Sequence, residues 1–223
     1  FGFTAGTHNQ GDENCFFGRR SGYVNKGNNN AFFGSEAGLS NTTGHNNTFV
    51  GYRAGYLNNE GPGNTCIGES AGYNNKKGGR NTFIGAGAGK WNKEASRNTF
   101  VGFRAGDSHE SGDYNVFIGD TAGLNNKYGI GNVFIGRAAG ANDTRSYRLY
   151  IENSASGTPL IYGEFDNRVV RVNANFTATA TSVPSDIRFK RNVQALNFSL
   201  DKISDLQGVS YEWKLDGMHH DLG

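Results

Sequence analysis

The chain is 223 residues long with a formal net charge of +2, and 35% of it is hydrophobic while 13% is aromatic. So small a charge argues against a nucleic-acid surface built on phosphate neutralisation, and no apolar run approaches the ~18 residues of a membrane span. Glycine is abundant at 34 residues and proline scarce at 3, but glycine does not recur at every third position, which excludes collagen.

The first residues, Gly2 and Ala5-Gly6, read as the remains of a repeat that begins upstream, so any targeting signal is expected to precede Phe1. The repeat then runs clearly from Asn14. Its blocks open at Asn14, Asn30, Asn47, Asn64, Asn81, Asn98, Asn115 and Asn132, each continuing as x-Phe-Ile/Val-Gly with Phe33, Phe17 and Cys66 as variants. From Asn30 onward each step is 17 residues, and the first is 16. Four residues after each block's glycine comes another, Gly22, Gly38, Gly55, Gly72, Gly89, Gly106, Gly123 or Gly140, preceded by Ala except at Ser21. A third glycine column holds Gly44, Gly61, Gly78, Gly112 and Gly129, with Ala95 in one turn.

A constant period of this kind marks a solenoid, whose units bury their apolar faces only against neighbouring units. Two helices do not fit in such a unit, and each interior glycine would cost a helix about 1 kcal/mol. Short strands joined at glycine corners fit, since glycine reaches positive φ freely. Nine turns at a rise of ~4.8 Å predict a rod roughly 40 Å long. The Asn column is expected to be structural, a ladder of stacked amides. Adjacent strand residues face opposite ways, so of each Phe-Ile/Val pair one fills the interior beside the Ala column and the other points out. An outward apolar stripe needs a cover, and a second copy of the chain would supply it.

The Asn-x-x-Ile-Gly-x-x-Ala turn resembles the head repeat of the trimeric autotransporter adhesins, the YadA-like heads. That resemblance covers residues 1–143 and implies a parallel β-roll packed as an intertwined homotrimer. The period here is longer than in that family, and the Phe column is a departure from it.

After Asn142 the repeat stops, and residues 144–184 read as a β-stranded stalk and linker. Strands are expected over Tyr147–Glu152, Leu160–Phe165 and Arg168–Val172, with turns at Ser156-Gly157 and Asp166-Asn167. Such short strands are expected to need packing between chains. Residues 177–182, alternating Thr and Ala before Ser182, read as an extended linker.

From Ser185 the character changes again. Ser185, Asp186, Ile187, Arg188, Phe189, Lys190, Arg191, Asn192 and Val193 resemble the opening motif of the endosialidase-type intramolecular chaperone domain. A short amphipathic helix bearing Leu196, Leu200, Ile203 and Leu206, and then the segment from Leu206 to Trp213, continue the likeness. Such domains end phage tail fibres, tailspikes and some bacterial surface proteins. The resemblance implies that the domain helps three chains fold and then cuts itself off before the motif serine. Carried over, Ser185 is the nucleophile, Lys190 its general base and Pro184-Ser185 the scissile bond, with Asp186 and Arg188 orienting the site. A serine hydroxyl needs a base to take its proton, and a desolvated lysine can serve. The plainer reading of these residues alone is a helix entry with a solvated charge run. Residues 185–223 are shorter than the family's domain, so as a truncated α+β fragment they are not expected to cut by themselves.

No metal-site spacing occurs, no cofactor is implied, and His219-His220 reads as a solvated pair on a loop. Cys15 and Cys66 fall in different columns, face opposite sides and lie too far apart for a disulfide; both are read as buried small apolar residues. Candidate ligand-binding residues are those that vary after the two glycines: Tyr52, Arg53, Tyr56, Tyr73, Trp91, Phe103 and Arg104. Beside Lys76, Lys77, Arg80, Lys90, Lys93 and Arg97 they could meet a glycan or an anionic polymer, or they could simply pack between turns.

Together these readings describe an all-β trimeric fibre. It would be extracellular, on a virion tail or a bacterial surface, and would attach to a surface glycan or another receptor. The alternatives are a spacer without a ligand, and an ice-binding solenoid suggested by Thr48, Thr65, Thr82 and Thr99, a ladder that Val116 and Val133 interrupt. Any enzyme activity would be confined to the chain's own cleavage.

Overall fold

The computed structural model describes residues 1–175, 210–212 and 220–222, and the chain divides into two compact units, Phe1–Phe176 and Thr177–Gly223. The first unit is a β-solenoid with a repeat of about 17 residues, and no helix occurs among the described residues.

Each turn carries one three-residue strand: β1 (Cys15–Phe17), β2 (Ala31–Phe33), β3 (Thr48–Val50), β4 (Thr65–Ile67), β5 (Thr82–Ile84), β6 (Thr99–Val101), β7 (Val116–Ile118) and β8 (Val133–Ile135). β-branched and aromatic residues favour this extended conformation. The glycine that follows ends it: Gly85, for example, turns the chain at φ +128°, a region that L residues rarely enter. Successive strands pair in parallel with equivalent residues level, as in Phe32↔Phe49 and Ile118↔Ile135. Eight turns therefore carry a strand, against the nine expected. Residues 1–11 form part of a ninth without one, bonded to the next turn through Gly18 N–H to Phe1 O and Gly6 N–H to Ser21 O.

The middle residue of each strand points inward. Phe32, Phe49, Cys66, Phe83, Phe100, Phe117 and Phe134 are wholly buried, as are Ala37, Ala54, Ala71, Ala88, Ala105, Ala122 and Ala139 opposite them. The rings stack face to face along the axis, 4.7 Å apart for Phe32–Phe49 and 4.6 Å for Phe100–Phe117. Each such contact adds roughly 0.5–1.5 kcal/mol beyond burial.

Two asparagine ladders close the turns, where one was expected. In the block-opening column, Asn47 Nδ2 donates across its own turn to Gly61 O, while its Oδ1 accepts the backbone N–H of Asn64 in the next. From turn to turn that column links mainly side chain to backbone, with an amide-to-amide bond from Asn115 Nδ2 to Asn98 Oδ1. A second column, Asn25, Asn41, Asn58, Asn75 and Asn92, does stack amides: Asn58 Nδ2 donates to Asn41 Oδ1 at 2.7 Å and to Gly61 O at 2.7 Å. These side chains are buried, so each bond replaces a hydration that the interior denies.

The third glycine column is, with one exception, not the corner it was expected to be. Gly44, Gly61, Gly78 and Gly129 lie outside the positive-φ region, and only Gly112 enters it. They are required by space, since a Cβ on Gly61 would sit 2.2 Å from Gly78 O of the next turn. Left-handed corners occur instead at side-chain-bearing residues such as Arg53, Ser70, Arg104 and Thr121, and again at Arg80, Arg97 and Tyr114.

Beyond the repeat, β9 (Arg148–Ile151) adds to β8 in parallel, and β10 (Ile161–Glu164) and β11 (Val169–Val172) follow antiparallel, giving one sheet of eleven strands. These strands lie within the expected ranges. They pair in register with their own chain's sheet. Tyr150 and Tyr162 continue the aromatic file, now edge to face. Asp143, Arg145 and Tyr150 close the end: Arg145 Nη2 lies 2.6 Å from Asp143 Oδ2 and 2.9 Å from Tyr150 Oη.

Both cysteines are free and face opposite sides, but only Cys66 is buried. Cys15 is exposed because it begins its strand and so shares the outward face, contrary to expectation. In the second unit β12 (Ser210–Glu212) pairs antiparallel with β13 (His220–Leu222). His220 therefore opens a strand instead of lying on a loop. His219, the expected helix bearing Leu196 to Leu206 and the 177–182 linker lie outside the described residues.

Candidate functional site

Because Phe faces inward, the residues on either side of it in each strand face outward. The column Phe17, Phe33, Val50, Ile67, Ile84, Val101, Ile118 and Ile135 runs the length of the solenoid, with exposures from 37% at Val50 to 53% at Phe17 and with Val101 half-buried. Beside it runs the column from Cys15 through Thr48, Thr65, Thr82 and Thr99 to Val133. The result is a largely apolar sheet face of eight rungs. At its far end Ile135, Ile151 and Leu160 line a concavity of about 350 Å³ that extends the same apolar surface.

The proposed ligand residues fall into two groups on the wall that follows the strand. Tyr52, Arg53, Tyr56 and Tyr73 come together. Arg53 lies 4.9 Å from the Tyr52 ring centroid and 5.5 Å from that of Tyr56, which stacks on Tyr73 at 4.8 Å. Its Nε also bonds Glu36 Oε2 at 2.8 Å, and Arg19 holds the other oxygen of that buried carboxylate. The hydrogen bond to Glu36 raises the Arg53 pKa, so the guanidinium stays charged. Arg53 and the stacked Tyr56 and Tyr73 rings thus join successive turns, while Tyr52 stays exposed.

Phe103 and Arg104 stand apart from that cluster, in a depression of about 220 Å³ that Lys90 and Asp107 also line. Trp91 belongs to neither group; it is exposed, with the Lys90 ammonium 5.7 Å from its ring centroid. Of the basic residues, Lys77, Arg80 and Arg97 line a shallower depression with Pro62 and Ser96. Lys93 is held by Glu110 at 2.6 Å, which raises the lysine's pKa and lowers the glutamate's.

Two features of the interior escaped sequence reasoning. His109 takes the place of an Asn in the second ladder, with Nδ1 2.5 Å from Asn126 O and Nε2 2.8 Å from Gly112 O. Because it donates nothing to the turn below, Asn92 Oδ1 is left buried and unpartnered. At the solenoid's end, burial works to raise the Asp143 pKa, but the hydrogen bonds from Arg145 outweigh it and hold the carboxyl below its usual range. Burial and Asp143 together push Tyr150 up to about 12. Both were findable from the 17-residue phase, which puts Asn92, His109, Asn126 and Asp143 in one column.

The motif residues Ser185, Asp186, Arg188 and Lys190 lie outside the described residues, as does the Pro184-Ser185 bond. Their order along the chain can still be compared with known families. Residues 185–223 match the family described as chaperone of endosialidase. No curated protein and no solved structure matches the chain. The match begins at Ser185 itself, so the endosialidase-chaperone segment starts where the sequence motif does.

Proposed function

We propose that this chain is a homotrimeric attachment fibre, of the phage tail-fibre or bacterial surface-adhesin kind, released from its chaperone segment by a cut before Ser185. The observation that carries the trimer is the outward apolar column, which repeats on all eight rungs while the residues around it vary. A single exposed Ile needs no explanation, but a continuous file of them on one sheet face would draw chains together. Three copies packed by these faces would bury the file along a common axis. The match to the chaperone of endosialidase supports the same reading, under which the fibre would lie outside the cell.

In the cut, Ser185 Oγ would attack the Pro184 carbonyl carbon while neutral Lys190 takes the hydroxyl proton. The acyl group would pass from the Ser185 nitrogen to its oxygen, the amine leaving with a proton, and water would then hydrolyse the ester. Asp186 and Arg188 would hold the segment in place. Once cut, a trimer could not refold without the lost segment, so its persistence would be kinetic.

Two measurements test this. Sedimentation of the full-length protein should give three times the chain mass, and replacing Ile67, Ile84 and Ile118 together by Asp should give monomers; a soluble wild-type monomer overturns the trimer. Denaturing mass spectrometry of the protein made with its complete C-terminal domain should show wild type cut between Pro184 and Ser185, Ser185→Ala intact and Lys190→Ala cut far more slowly, all three still trimeric. A Ser185→Ala protein cut at the same bond would assign the cleavage to another protease.

A further inference from the structure

The outward apolar face outlasts the repeat. Beyond β8 the asparagine and glycine columns end, yet strand pairing carries the outer column from Ile135 through Ile151 and Ile161 to Val172. The column beside it continues from Val133 through Leu149 and Gly163 to Val170. No outward position on the eleven strands bears a charge. The other side of β10 and β11 does: Glu164 accepts the Tyr162 hydroxyl, and the Arg171 guanidinium lies 5.7 Å from the Tyr162 ring centroid. Strands past the end of the solenoid thus turn their apolar side outward, and Val170 is left 69% exposed. A cover for that side has to run the eleven strands, roughly 50 Å. A second copy of the chain has that length and that spacing, so it is the occupant that fits.

Two such faces repeat at every strand, so the repeat alone does not distinguish one alignment from another a rung away. The rung at β9 does. Leu149 is the largest side chain in its column, whose other members are Cys, Ala, Thr, Val and Gly. Gly163 opposite makes room for it, since a Cβ there would come 2.9 Å from Leu149 Cβ. In the outer column of the same strand, Ile151 stands with Ile135 and Leu160 around the concavity of about 350 Å³. Glu152 also lines it, but its two oxygens accept the backbone N–H groups of Asn153 and Leu160. A projection and a hollow therefore sit at one height in adjoining columns. In a three-fold ring the copies are parallel and level, and one edge of each face meets the opposite edge of the next. We infer that Leu149 of each copy seats in the next copy's concavity at Ile135, Ile151 and Leu160, and that this contact sets the alignment of the trimer. A slip of one rung would offer the hollow Val133 or Gly163 instead. This rests on the trimer reading and gives it a register.

Cysteine pairs on β4 and β5, away from the contact, read the alignment in protein made with its complete C-terminal domain and carrying Cys15→Ser; Cys66 is buried. Thr82→Cys with Ile84→Cys is a level pair, and Thr82→Cys with Ile67→Cys is one rung off. A disulfide needs Cα atoms within ~7 Å, and a slip moves them by ~4.8 Å. After oxidation, denaturing electrophoresis should show about tenfold more covalent trimer from the level pair than from the offset pair. Leu149→Ala should stay trimeric by sedimentation yet link both pairs about equally. Leu149→Val, which gives β9 the outward pair of β8, should do the same, and Leu149→Met should behave as wild type. Thermal unfolding checks that the variants fold. A level preference that survives both Leu149→Ala and Leu149→Val would overturn the inference and move the alignment to another contact, such as the Phe17 and Phe33 rungs. Variants that fall to monomers would make Leu149 an adhesive contact and not an aligning one, which also overturns it. A wild-type trimer that links chiefly the offset pair, or neither, would overturn the level seating while leaving the trimer standing. A wild-type monomer would overturn the trimer reading itself.

Discussion

Cys66 stands where every other full turn has an inward Phe, and its neighbours show the consequence. Phe83 leans toward the gap: a Cβ on Gly72 would lie 3.1 Å from Phe83 Cδ2, and the Phe83–Phe100 rings meet at 24° where Phe100–Phe117 meet at 4°. Burial also raises the Cys66 thiol's pKa far above its ordinary value, so it is neither a nucleophile nor a metal ligand in the folded chain. Cys66→Phe should complete the file, and denaturant unfolding should show a gain of about 1 kcal/mol or more. No gain would mean that the neighbours have already closed the space.

At the level of the turn, strand positions were legible to the residue because glycine, Asn and Phe recur in one phase. The inward choice of Phe over Ile or Val was not fixed by that phase; it follows from Ala opposite, which leaves room for a ring. The second Asn ladder was equally periodic, but its column also holds His109 and Asp143 and so lacked a uniform letter. The depression beside Phe103 was illegible for a different reason, since it depends on the small Ala86 and Gly87 and on where Arg104 lies beside them. The joining of β9 to β8 was hidden by the end of the repeat. The corners make the sharpest test. Gly102 combines φ +134° with a prospective Cβ 2.3 Å from Gly119 O, so Gly102→Ala meets both backbone strain and a clash with the next turn's carbonyl. It should destabilise the solenoid by more than about 3 kcal/mol in denaturant unfolding. A cost under about 1 kcal/mol would show that neighbouring turns can slide apart.

Over the whole solenoid each turn bonds only to the turns beside it, so stability accumulates as a series of interfaces. The interface between the turns of Asn92 and His109 is the weak member, because the amide ladder breaks there. Burial holds the His109 pKa below its ordinary 6.5, although the carbonyls of Gly112 and Asn126 and the charge of Asp113 act against it. The rings of Phe100 and Phe117 pack edge-on against the imidazole and contribute no charge. The unfolded chain therefore takes up the proton first as the pH falls. The stability is complete above the ordinary value and is lost as pH drops through it toward the folded one. His109→Asn should restore a donor to Asn92 Oδ1, so the variant should be more stable than wild type at about pH 8 and more so at about pH 5. Thermal unfolding at the two values measures this, and an advantage that does not widen in acid would remove His109 as the cause.

A fibre that tethers a particle is loaded along its length, and a series of interfaces under tension yields at its weakest member. With the ladder interrupted between Asn92 and His109, the rod has a set place to part, and five strand-bearing turns remain zipped on the β1 side.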